Sequence, residues 1–226
     1  MNMKICSFNI QNNFFNHKDK TSVITELVLK YDLDILGVQE YLYRDSKQFS
    51  LDKYKCVGCG RFKHFDSIFN ETCSVITKYE VIKHKTYKLP WFFTSLPRIM
   101  TEVVIKHNNK EYLVLNAHLD YLHKISQRKQ LKYIVTYLKK ITNNKNIIMM
   151  GDFNLNIHSK IFKLFISKLN ELNISRVDIN EKTYKNLDKP IDHIFISNNL
   201  SIKNLKIIKD KDMDVSDHYP LYIEIK

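Results

Sequence analysis

The stretch Asn146–Ile147–Ile148–Met149–Met150–Gly151–Asp152–Phe153–Asn154 runs from apolar residues straight into an acid and an amide. An apolar run this short reads as a buried strand. Buried strands normally stop in turn residues, not in ionisable groups. Side chains alternate along a strand, so Asp152 and Asn154 share a face if the run stays extended, while Phe153 points into packing. The pattern recurs. In Asn116–Ala117–His118–Leu119–Asp120 the polar residues fall on one face, with Leu115 and Ala117 on the other. Ile191–Asp192–His193 and Ser216–Asp217–His218 follow, and upstream stand Ser7–Phe8–Asn9–Ile10 and Leu36–Gly37–Val38–Gln39–Glu40. In the last, Glu40 aligns with Leu36 and Val38, an expensive place for a carboxylate unless a cation or donor satisfies it. Together these strand ends predict one polar floor at the edge of an α/β core.

Strands are predicted over Ile5–Ile10, Asp34–Gln39, Tyr54–Val57, Cys73–Thr77, Thr101–Lys106, Tyr112–Asn116, Asn146–Met150, Ile191–Ile196, Ile202–Ile207 and Tyr219–Ile225. Helical spacing marks Thr21–Lys30, Gln127–Ile141 and Ile161–Leu172. His107–Asn108–Asn109–Lys110 reads as a hairpin turn. Hairpins and crossovers both occur, which favours mixed sheets over a purely parallel one. No linker or repeat interrupts the chain, so residues 1–226 read as a single domain, expected to be a monomer.

The chain is 44% hydrophobic and carries a formal charge of +12. Such a charge attracts polyanions, nucleic acid first and anionic lipid second. The abundance of lysine, asparagine and isoleucine also fits an AT-rich coding bias. No apolar run reaches the roughly 18 residues that span a membrane, and the N-terminus reads as a first strand, so a cytoplasmic location is expected. Of the four cysteines, Cys6 reads as core, and Cys56–Val57–Gly58–Cys59 lacks the further ligands a zinc site needs.

The floor is rich in oxygen donors: Glu40, Asp152, Asp192 and Asp217, with the amides Asn9, Asn116 and Asn154. Carboxylate and amide oxygens suit a hard cation, Mg²⁺ or Mn²⁺. Zinc would recruit His118, His193 and His218, whose spacing lacks a helical pair. The remaining histidines, His17, His64, His84, His107, His123 and His158, lie in polar contexts and are expected at the surface. Metal-assisted hydrolysis of a phosphoester is the chemistry such a set implies.

In order, these segments resemble the endonuclease/exonuclease/phosphatase superfamily of DNase I-like phosphoesterases. The matching pieces include Gln39–Glu40, Gly151–Asp152–Phe153–Asn154, Ile191–Asp192–His193–Ile194–Phe195 and Ser216–Asp217–His218–Tyr219–Pro220. Asn70–Glu71 and Leu96–Pro97–Arg98 match more weakly. The resemblance implies a four-layer α/β/β/α sandwich with two mixed β-sheets. It implies that Glu40 and Asp217, with Asn9, hold the metal. Asp152 and Asn154 would orient or deprotonate the attacking water. His218 would contact the phosphate, oriented by a hydrogen bond that its ring donates to Asp192. His118 would bind the phosphate or help the leaving oxygen, oriented by Glu71, with Asn9, Asn116 and Arg98 binding substrate.

One departure concerns specificity. Where many relatives carry a Trp/Arg loop after the first strand, this chain has Gln11–Asn12–Asn13–Phe14–Phe15–Asn16–His17–Lys18. The sole tryptophan lies in Leu89–Pro90–Trp91–Phe92–Phe93–Thr94. That segment reads as a base-stacking surface, an interfacial anchor or packing over the core. The leading expectation is a Mg²⁺- or Mn²⁺-dependent nuclease. The alternatives are a phosphatase or phospholipase C/sphingomyelinase-like hydrolase of phospholipid or inositol phosphate headgroups, and an inactive binding module. The intact acid and histidine set speaks against the last.

Overall fold

The computed structural model describes residues 2–12, 19–92, 96–141, 146–210 and 215–226. Phe14, Phe15, His17, Lys18, Phe93 and Thr94 lie outside the described residues. The chain begins with β1 (Met3–Asn9), α1 (Thr21–Tyr31), β2 (Ile35–Leu42), α2 (Tyr43–Gln48), β3 (Lys55–Val57) and β4 (Glu71–Thr77). It continues with β5 (Glu80–Lys88), β6 (Ile99–His107), β7 (Lys110–His118), α3 (Lys124–Ile141), β8 (Asn146–Asp152) and α4 (Lys160–Asn170). It closes with β9 (Ile174–Arg176), β10 (Asp192–Ser197), β11 (Ile202–Ile207) and β12 (Leu221–Ile225). The strands make two six-stranded mixed sheets, ordered β11-β12-β1-β2-β4-β3 and β5-β6-β7-β8-β10-β9.

Strand alternation sorts the apolar side chains into three interfaces, which fix four layers. Cys6, Phe8, Leu36 and Val38 pack outward on Ile24, Leu27 and Val28 of α1. Leu113, Leu115, Met149 and Phe195 pack outward on Leu131, Ile134 and Leu138 of α3 and Phe162, Phe165 and Leu169 of α4. Between the sheets lie Met3, Ile5, Ile35, Val114, Ile148, Met150, Ile194, Ile196 and Ile223. The molecule is therefore an α/β/β/α sandwich.

The inner rows become polar at one end. Met3 and Ile5 lead to Ser7 and Asn9, Val114 to Asn116 and His118, and Ile148 and Met150 to Asp152. In β10, Ile196 and Ile194 lead to Asp192. Register aligns these ends, since Asp152 of β8 stands level with His118 on one side and with Asp192 on the other. The close approach beside them needs glycine. Gly151 has φ +144, and a Cβ there would meet the Ala117 carbonyl oxygen at 1.9 Å.

Three sequence expectations change. Glu40 does not continue the Leu36–Val38 row. A bulge between Gln39 and Tyr41 interrupts the pairing of β2 with β4, and Glu40 adopts φ 58. Tyr41 takes the buried place in the outward row, and the extra residue re-aims Glu40 at the end of the sheet. The Asp152–Asn154 run also bends, because Asn154 has φ 52 and its backbone N–H donates to Asp152 Oδ1 at 2.8 Å. Asn116, expected to bind substrate, lies wholly buried below the floor. Its Nδ2 donates to the carbonyls of Val38 at 3.0 Å and Ser74 at 2.8 Å, and its Oδ1 accepts from Gln39 Nε2 at 2.6 Å. Asn116 thus ties the two sheets together, and Asn116→Ala should cost about 3 kcal/mol through the buried groups left unpaired. Urea unfolding measures this. A loss below about 1 kcal/mol, the net size of an ordinary hydrogen bond, would contradict the assignment.

The hairpin at His107–Lys110 is as expected. Asn108 and Asn109 both have positive φ, 50 and 58, which the primed hairpin turn requires. All four cysteines are free thiols, with Cys6 and Cys73 buried.

Candidate active site

The polar ends of the inner rows line a cavity of about 540 Å³, where Glu40, Arg98, His118, Asp152, Asn154, Asp217 and His218 meet. Asp192 lies behind this surface, 1% exposed, and reaches it through His218. His218 Nδ1 lies 2.8 Å from Asp192 Oδ2, the hydrogen bond expected from the sequence. Burial alone would pull the imidazole down. The Asp192 carboxylate overrides this, Asp152 and Asp217 add to it, and the pKa is pushed up to about 10. His218 is therefore an imidazolium at neutral pH. This raised pKa contributes stability fully below the ordinary histidine value, lost as pH climbs through about 10. Asp192→Asn should return His218 towards neutrality and lower turnover roughly 10²–10⁴-fold, the range for a positioned acid–base group. Imidazole titration by NMR reads the first effect, and an unmoved His218 would refute the pairing.

Asp152 sits at the centre. Its Oδ2 accepts from Asn9 Nδ2 at 3.0 Å and lies 3.5 Å from His118 Nε2 and 3.8 Å from His218 Nε2. Burial, then the neighbouring Asp192 charge, push its pKa up to about 7, against the opposing pull of His218. His118 is driven the other way. Burial, then the positive charges of Arg98 and Arg61, hold it well below the ordinary histidine value, so it is neutral. The site thus holds a neutral imidazole, an imidazolium and a carboxyl poised near neutrality.

Glu40 and Asp217 form the acidic corner. Glu40 Oε1 accepts from Asn9 Nδ2 at 3.1 Å, and Oε2 accepts from the Asn12 backbone N–H at 2.9 Å. Asp217 Oδ2 accepts from Gln11 Nε2 at 3.0 Å. Its carboxyl is raised by burial and by the negative charge of Glu40, opposed by His218. Lys20 stands behind both acids, its amine lowered by burial while Glu40 and Asp217 pull it up. Two partly buried carboxylates repelling each other at a cavity wall fit a hard divalent cation.

Two expectations are corrected here. Asn9 turns its amide nitrogen, not its oxygen, to Glu40 and Asp152, while Oδ1 accepts from the Gln11 backbone N–H at 3.0 Å. It orders the two acids and offers no ligand oxygen in this arrangement. Glu71 does not orient His118. Its carboxylate is paired with Arg61 and accepts from Asn12 Nδ2 at 3.0 Å. Arg98 takes the place beside His118, with Nη1 3.1 and 3.0 Å from the two ring nitrogens. The three histidines of the zinc alternative do not converge. His193 is buried with its ring 4.5 Å from that of Phe162, and its Nε2 lies 2.8 Å from the Leu155 carbonyl oxygen.

Asp152, Asp192 and His218 also come close enough to hold an ion. The hydrogen bond between Asp192 and His218, and the imidazolium it creates, make that trio a poor cation site and leave Glu40 and Asp217 as the better one. The sequence reading missed Gln11, Lys20, Arg61 and Tyr184. Tyr184 packs its ring 4.9 Å from that of His218. For Arg61 a signal existed. Arginine is scarce in this lysine-rich chain, and a retained guanidinium marks a place where geometry matters.

Two packed mixed sheets with their polar strand ends gathered at one edge are the architecture of DNase I-like phosphoesterases. The chain belongs to the Endonuclease/Exonuclease/phosphatase family, whose profile it matches over residues 6–218. Its structure is similar to a Bacteroides thetaiotaomicron mannosyl-6-phosphatase, with 22% identity, 99% of each chain covered and TM-score 0.85. It is also similar to the human Nocturnin catalytic domain with a bound sulfate anion, at 16% identity, 100% and 94% coverage and TM-score 0.79. A humanized D. rerio TDP2 aligns at 14% identity, 100% and 99% coverage and TM-score 0.74. No curated protein matches the chain significantly in sequence.

Proposed function

We propose that this chain is a Mg²⁺- or Mn²⁺-dependent phosphodiesterase that cleaves DNA or RNA. The observation that carries the chemistry is the meeting of Asp152, raised to about 7, with imidazolium His218 in one cavity beside Glu40 and Asp217. Glu40 and Asp217 would hold the cation. When bound there, it would polarise a phosphoryl oxygen and offset the charge that develops on the phosphate.

The chain's own residues do the rest. Asp152 takes the proton of the attacking water, and the Asn9 amide and the Asn154 backbone N–H hold its two oxygens in place. His218 keeps its proton through Asp192 and donates a charge-assisted hydrogen bond to a phosphate oxygen. Neutral His118 contributes an N–H on the leaving side, with Arg98 supplying positive charge beside it.

The net charge of +12 supports a polyanionic substrate. Replacing one phosphate-binding lysine should flatten the salt slope of log affinity by roughly 0.7–0.9. Cleavage of DNA or RNA that weakens steeply with added salt is the expected result. The second reading, hydrolysis of a lipid headgroup, draws on Trp91 and Phe92, 38% and 39% exposed; the Phe92 ring lies 6.3 Å from that of His123, which follows Tyr121 and Leu122 of the cavity lining. Tight binding to anionic vesicles that disappears in Trp91→Ser/Phe92→Ser, with no polynucleotide cleaved, would overturn the nuclease reading. A mannosyl-6-phosphatase among similar structures keeps phosphomonoesters in the same screen. We propose a cytoplasmic monomer. No helix among the described residues is long and apolar enough to cross a membrane.

A further inference from the structure

Two guanidinium groups are buried in the wall of the cavity. Arg61 is 3% exposed and Arg98 8%. Both Nε atoms are buried without a hydrogen-bond partner among the described residues. Arg61 is paired with Glu71. Arg98 has no carboxylate partner among the described residues; its neighbours are the His118 ring and the Tyr121 ring, 5.7 Å from its guanidinium carbon. Both arginines line the same cavity, and burial, then the Arg98 charge, push Arg61 down to about 10. Of the two buried cations, only Arg61 has a carboxylate in direct contact among the described residues. Removing a guanidinium from water without an anion is costly.

We propose that Arg61 and Arg98 form a second anion subsite, which takes a phosphate group separate from the scissile one. His118 links it to Asp152, since its Nε2 lies 3.0 Å from Arg98 Nη1 and 3.5 Å from Asp152 Oδ2. A substrate that fills both places carries two phosphates a short link apart. The planar forks of the two arginines suit phosphate oxygens better than point charges would. The assignment rests on the phosphoester reading of the site and not on nucleic acid being the substrate. The second phosphate is either the neighbouring diester of a chain or a terminal monoester.

Calorimetry with the Mg²⁺-loaded protein tests this with two probes, inorganic phosphate and methylenediphosphonate, which resists hydrolysis. The native protein should bind the diphosphonate at least about tenfold more tightly, the size of one charge-assisted hydrogen bond. Arg61→Met/Glu71→Met removes the pair together and leaves no orphaned acid. In that variant the preference should fall below about threefold. Arg98→Lys keeps the charge but removes the fork, and it should give the same loss should the double variant fail to fold. An unchanged preference in a folded variant overturns the subsite, whether or not any polynucleotide is cleaved. Competition against the diphosphonate then separates the sources. A dinucleotide with a terminal phosphate displacing best identifies a monoester, and an unphosphorylated trinucleotide displacing equally well identifies a chain diester. Neither exceeding the plain dinucleotide overturns the proposal.

Discussion

Glu40→Gln should lower Mg²⁺-supported turnover by roughly three orders of magnitude, because a metal's Lewis-acid contribution is worth several kcal/mol. The amide keeps the size of the side chain and can still accept from the Asn12 backbone N–H, now 2.9 Å away. It loses the charge that, with Asp217, makes the cation corner. The fold should survive, because Glu40 occupies a bulge and is only half-buried. Its removal also relieves the like-charge pressure that raises Asp217. Thermal unfolding without metal should therefore be little changed, while the Mg²⁺ concentration needed for half-activity rises. Activity that survives EDTA in the native protein, or that returns only with Zn²⁺, would contradict this role.

Asp152→Asn should be nearly as severe, about 10²–10⁴-fold in kcat, the range for a positioned general base. A second readout separates a base from a structural acid. The raised pKa means that ionising Asp152 costs fold stability. That cost is absent below the ordinary carboxylate range and grows to its full size as pH rises through about 7. In metal-free protein, Asp152→Asn should therefore be more stable than the native chain at pH 8, with the advantage fading towards pH 4. The variant should also lose the acid limb of the pH–rate profile. A variant with less stability at pH 8 and an unchanged limb would mean that Asp152 only holds the floor together.

Much of this arrangement is written locally in the chain. Alternation in β7, β8 and β10 places His118, Asp152 and Asp192 on the inner face, and register then brings them level. The Asp192–His218 bond follows from the need of a buried carboxylate for a partner, and the structure has it. Non-local features were not legible. The bulge that turns Glu40 out of its row depends on the pairing of β2 with β4, which a single strand's pattern does not encode. Strand β5 escaped notice because it is an edge strand with exposed Lys83, His84 and Lys85 and no buried face to set a rhythm. The partners of Glu71 and Asn116 lie 10 residues away in a loop and 78 and 42 residues away in the other sheet, so their roles wait on the fold. Arg61 comes from that same loop, which has no periodicity to read.

The most direct measurement is a turnover screen of the purified protein over DNA, RNA, phospholipid and inositol phosphate. Each substrate is tested with Mg²⁺, with Mn²⁺ and with EDTA, and Asp152→Asn is run alongside. The account predicts phosphate-ester hydrolysis with either cation, strongest on a polynucleotide, abolished by EDTA and reduced at least about 10²-fold in the variant. No hydrolysis of any class by the folded native protein, or equal rates in Asp152→Asn, would contradict it.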